Sequence, residues 1–96
     1  MGKIMSLLKI VQELDLLDKE GTIYATEPWA INSQAVVLRE PESGILPPEF
    51  EQIGLKYFIE VFIANDFLKQ WEQQLKTAPT LEQKCLRLIH YAINDA

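Results

Sequence analysis

The apolar positions of this 96-residue chain change period along its length, and each change marks an element. Ile4, Leu7, Leu8, Val11 and Leu14 recur at helical spacing, with Lys9, Gln12 and Glu13 falling elsewhere, and predict a helix over 4–17. Ile10, Leu16 and Leu17 widen its apolar stripe, so this helix is buried on most sides or offers a flank to a partner. Gly21 is the expected terminator. Residues 22–26 are rich in β-branched and aromatic types and predict a strand that Pro28 stops. Residues 35–39 predict a second strand. The intervening residues have turn chemistry and are too few for a crossover helix, so the two strands pair as a hairpin with a long connection.

Residues 41–54 hold Pro41, Gly44, Pro47, Pro48 and Gly54 and read as irregular, with one helical turn near Pro48 because proline suits a first helical position. Residues 55–63 alternate most strictly. Leu55, Tyr57, Ile59, Val61 and Ile63 point one way, and Lys56, Phe58, Glu60 and Phe62 the other. The first set is core. The second lies either on an open sheet face or beneath the first helix or the 41–54 segment.

A helix over 66–77 follows, with Asn65 or Asp66 as its N-cap and Phe67, Trp71 and Leu75 along its core side. Thr80 and Gln83 have the spacing of a capping box and open the last helix. Leu81, Cys85, Leu88, Ile89, Ala92 and Ile93 form its core stripe, and Gln83, Arg87, His90 and Asn94 its polar face. The expected fold is one α+β domain over residues 1–96. It has a small three-stranded, mainly antiparallel sheet with helices packed on one face, in the order α-β-β-β-α-α.

Charge separates the halves of the chain. Residues 1–51 carry nine acids against four bases, and residues 52–96 carry five of each, so the net charge of −5 belongs to the first half. Nucleic-acid binding needs a basic footprint and is not expected. A basic protein partner suits this distribution, since complementary fields accelerate encounter. Charged and polar residues interrupt the early apolar run, so no secretory leader is expected, and no stretch reaches the roughly 20 apolar residues a membrane span needs. A single cysteine fits a reducing cytoplasm.

Candidate chemistry is sparse. The one cysteine, Cys85, and the one histidine, His90, stand five residues apart on one helix, roughly 140° around its axis, and cannot cooperate. No phosphate loop, dinucleotide fingerprint or metal-ligand spacing is present, and no cofactor, metal or catalytic activity is expected. Two carboxylates alone can catalyse, and Glu27, beside Pro28 and Trp29, and Glu60 are the pair for a minimal enzyme. The partner-binding candidates are Glu40, Glu42, Glu49 and Glu51 as an electrostatic lure, with Phe58, Glu60 and Phe62 on the second sheet face, and Trp29.

Three stretches carry a resemblance: Ile23-Tyr24-Ala25 followed by Pro28-Trp29, residues 54–61, and residues 90–96. In style and size the chain resembles small bacterial proteins of uncharacterised families found in mobile gene cassettes and beside polymorphic toxins, some of which serve as immunity proteins. The resemblance implies a non-catalytic cytoplasmic inhibitor of a basic protein partner. The alternative is a homodimer with a structural or small-ligand-binding role.

Overall fold

The computed structural model describes residues 3–39 and 46–95. The elements run β1 (Met5–Ser6), α1 (Leu7–Gln12), a 3₁₀ turn (Leu14–Leu16), β2 (Thr22–Thr26) and β3 (Gln34–Leu38). They continue with α2 (Pro48–Gln52), β4 (Leu55–Glu60), α3 (Val61–Gln73) and α4 (Leu81–Asp95). The sheet order is β1-β3-β2-β4, with every neighbouring pair antiparallel. The α+β fold, the antiparallel sheet and the β2–β3 hairpin are as expected. The sheet has four strands rather than three, because Met5 and Ser6 pair with Ala35 and Gln34.

That extra strand shortens the first helix. Ser6 caps α1, its Oγ accepting from the Lys9 N–H at 3.1 Å. The Leu7 and Leu8 N–H groups donate out of the helix to the Ser33 and Ile31 carbonyls, both at 2.9 Å. The β2–β3 connection thus satisfies two of the donors a helix start leaves open. Leu7, Ile10 and Val11 remain buried as the helical period requires, while Leu16 emerges from the 3₁₀ turn at 85% exposure.

β2 is one of the two interior strands and is buried on both faces over Thr22 to Ala25. On one face Ile23, Ala25, Ala35 and Ile59 meet α1, α3 and α4 in the main core. On the other Tyr24, Val36 and Leu55 form a smaller cluster, covered by Leu46 and by Phe50 of α2.

Strict alternation fails in β4, and the failure has a visible cause. Ile23 pairs with Ile59, but Tyr24 pairs with Tyr57, so Phe58 is the extra residue of a β-bulge. Leu55 and Tyr57 therefore share the Tyr24 face, while Phe58 and Ile59 both turn into the main core. Phe58 is fully buried, which decides between the open and the covered place in favour of the covered one and removes Phe58 from the partner-binding candidates.

The strand also ends three residues early. The Val61 N–H donates to the Gly21 carbonyl at 3.0 Å and the chain turns directly into α3. Val61, Ala64, Asn65 and Leu68, at i, i+3, i+4 and i+7, are buried along it. Asn65 is thus inside the helix rather than at its cap, and its Nδ2 donates to the Leu14 carbonyl at 3.4 Å. Phe62 leaves the sheet for the first turn of α3, where it is 48% exposed. The capping box of α4 forms as expected: Thr80 N–H to Gln83 Oε1 at 2.8 Å and Gln83 N–H to Thr80 Oγ1 at 3.1 Å. No helix among the described residues is long and apolar enough to cross a membrane.

Candidate binding surface

The acidic candidates divide. Glu40 and Glu42 lie outside the described residues. Glu49 and Glu51 are exposed on α2, and neither makes an ion pair among the described residues. Between them Phe50 packs down on the Tyr24 cluster, so these acids ride on a docked helix rather than a solvated loop. Gly54 closes the turn that follows, with φ +86°, a conformation that costs glycine little, and its N–H donates to the Glu51 carbonyl at 3.0 Å. Ile53, 38% exposed, ends α2, and Tyr57, 48% exposed, sits on the sheet face that α2 covers. Acidic and apolar groups thus share one surface at the β4 edge of the sheet.

The aromatic candidates are mostly consumed by packing. Trp29 is half-buried. Its indole N–H donates to the Ala25 carbonyl at 3.3 Å, and its ring meets Phe58 edge-on at 4.9 Å and 87°. Ser33 fixes the loop that carries Trp29: its Oγ accepts from the Ala30 N–H at 2.9 Å and donates to the Pro28 carbonyl at 3.3 Å. Glu27, Pro28 and Trp29 line an open cleft of about 490 Å³ with Ala92 and Ile93 of α4.

The two acids proposed as a catalytic pair are not brought together. Glu60 pairs with Thr22 at one end of β2, and Glu27 follows Thr26 at the other. Roughly 13 Å of strand separates those ends, beyond the about 5–9.5 Å at which paired carboxylates cleave glycosides. Glu60 is half-buried at the strand–helix junction and makes no side-chain cap to α3.

Cys85 and His90 part as the helical wheel requires. Cys85 is buried in the main core, and desolvation pushes its thiol up to about 11, far from a reactive thiolate. His90 is exposed, and its Nδ1 lies 3.0 Å from Nη1 of Arg87. Among the described residues no group of three or more His, Cys, Asp or Glu side chains could hold a metal ion.

Sequence reasoning missed a second feature, an open groove of about 510 Å³ between the C-terminal end of α3 and the start of α4. Trp71, Leu75, Pro79 and Leu86 supply its apolar walls, and Arg87 and His90 its polar rim. The helical period puts Trp71 and Leu75 on the core side, yet both keep surface in this groove. The signal that could have found the groove is Leu86, which stands off the core stripe of α4 beside Arg87 and is 54% exposed. Comparison of the chain with protein-family models, curated proteins and solved structures finds no match.

Proposed function

We propose that the protein is a non-catalytic cytoplasmic binding protein that meets a basic protein partner through the acidic surface of α2, in the manner of an immunity-type inhibitor. The observation that carries this reading is the state of Glu49 and Glu51: exposed, without ion pairs among the described residues, and mounted on a helix pinned to the sheet by Phe50. Acids held on a fixed element present a constant field to an approaching cation, which raises the rate of productive encounter. With Phe58 consumed by the core, the apolar part of the contact falls to Ile53, which ends α2, and to Tyr57 on the sheet face that α2 covers, both partly exposed. The acidic bias of the first half of the chain and the resemblance to immunity-type proteins support the same reading.

Charge reversal tests it. Glu49→Lys with Glu51→Lys should slow association with the partner by about tenfold or more at low salt, with little change in dissociation. An association rate that ignores both reversals refutes the electrostatic mechanism. A second reading, a homodimer, is favoured by Phe62, 48% exposed beside β4, an outer strand of the sheet. Light scattering after size exclusion separates the two: a dimer that dissociates on Phe62→Glu supports self-association, and a monomer supports the unlike partner.

A further inference from the structure

The groove between α3 and α4 is chemically unlike the rest of the molecule. The chain carries a net charge of −5, yet Lys76, Arg87 and His90 line this groove and, among the described residues, no carboxylate does. Its apolar walls keep surface in water: Leu86 is 54% and Leu75 37% exposed, and Trp71 is half-buried. Its volume of about 510 Å³ matches a site for one small molecule.

Arg87 is the decisive group. Arg39 pairs with Asp18 and Glu20, Lys9 with Glu13 and Lys84 with Glu72, each within 4 Å, although all of these side chains are at least partly exposed to water. Arg87, like Lys76 on the same groove, has no carboxylate partner among the described residues. It is held instead by neutral groups. Its guanidinium stands 5.0 Å above the Phe67 ring, which is itself stacked on Tyr91 at 4.0 Å and 17°. Its Nη1 lies 3.0 Å from His90 Nδ1. A guanidinium can only donate, so His90 Nδ1 is the acceptor in this contact. Arg87 is thus oriented in advance, keeps its charge uncompensated and has donors to spare, while His90 adds another N–H at the same rim.

We infer that this groove binds a small amphipathic carboxylate, whose acid group is taken by Arg87 and whose apolar body lies along Trp71, Leu75 and Leu86. A guanidinium fork matches a planar carboxylate bidentately, and a preoriented one loses little freedom on binding. An uncharged apolar molecule would leave the guanidinium unpaired in a partly desolvated site, so the head group decides selectivity.

The test uses the full chain labelled with ¹⁵N, titrated with sodium octanoate and separately with 1-octanol, both below their aggregation limits. Octanoate should give saturable shifts of the Trp71 indole N–H, identified by its loss in Trp71→Phe, and of the Leu75, Leu86 and Arg87 amides. The Trp29 indole should stay in place as an internal control. Octanol should bind about tenfold or more weakly, and Arg87→Gln should weaken octanoate by about tenfold while leaving octanol unchanged. Should Arg87→Gln disturb the fold, Leu86→Glu, at a half-exposed position, should abolish octanoate binding with the spectrum otherwise intact. Equal binding of acid and alcohol, or no saturation, overturns the inference. So does movement of the same resonances with protein concentration alone, which would assign the groove to a second copy of the chain.

Discussion

Phe58 and Phe62 lie four residues apart on a segment whose alternation puts them on one face, and the structure gives them opposite fates. The bulge turns Phe58 fully into the core, against Trp29 at 4.9 Å, while Phe62 is 48% exposed on α3. Truncating a buried phenylalanine to alanine costs about 3–5 kcal/mol through lost transfer energy and the cavity left behind. Phe62 has about half a side chain's burial to lose, worth about 1 kcal/mol. A domain of this size has roughly 5–14 kcal/mol in all, so Phe58→Ala removes a large fraction of it. Urea denaturation followed by circular dichroism measures both variants, with the slope m unchanged if the denatured state is unaltered. If Phe58→Ala fails to fold, Phe58→Leu keeps most of the volume and should cost about 1 kcal/mol. Equal losses for Phe58→Ala and Phe62→Ala would refute the bulge and restore the simple alternating strand.

Three further expectations follow from local geometry. Gly21→Ala would place a Cβ 2.7 Å from Val37 Cγ1 and 3.0 Å from the Asp18 carbonyl, in a buried corner, and should cost about 1–3 kcal/mol in the same denaturation assay. With its thiol raised from 9.0 to about 11, Cys85 should react with iodoacetamide at pH 8 about a hundredfold more slowly in the native protein than in urea, where the thiol is ordinary. Arg39, bonded to Asp18 at 2.7 Å, and the Glu20 N–H hold the Asp18 carboxyl below its ordinary value of 3.8. This contribution to stability is therefore fully present above that value and is lost as pH falls through the lower folded value. The Asp18 carboxyl resonance should titrate below 3.8, and Arg39→Gln should return it towards that value.

What the sequence made legible was whatever a single local signal decides. The capping box at Thr80 and Gln83, the hairpin of β2 and β3, and the buried stripe of Cys85, Leu88, Ile89 and Ala92 each rest on short-range spacing, although Ile93, expected in that stripe, is 63% exposed at the end of α4. The errors fall where tertiary pairing overrides local pattern. Met5 and Ser6 have helical neighbours but are claimed by β3, and the Leu7 and Leu8 donors go to the Ser33 and Ile31 carbonyls. Residues 61–63 satisfy both periods at once, and the Gly21 carbonyl, distant in sequence, ends the strand. A bulge shifts the alternation of a strand without leaving a compositional trace, so the pattern alone does not decide between an open and a covered place for Phe58. The candidate sites suffered accordingly: exposure of Glu49 and Glu51 was readable from charge, whereas the Arg87 groove depends on two helices meeting.

The central claim, that the acidic α2 surface recognises a basic protein, is tested most directly by capture from the native host at low and at high salt, with bound proteins identified by mass spectrometry. Capture should yield one stoichiometric basic protein, released at high salt and not retained by the Glu49→Lys, Glu51→Lys variant. Recovery of a partner that survives high salt and binds that variant equally well, or of the chain alone, would contradict it.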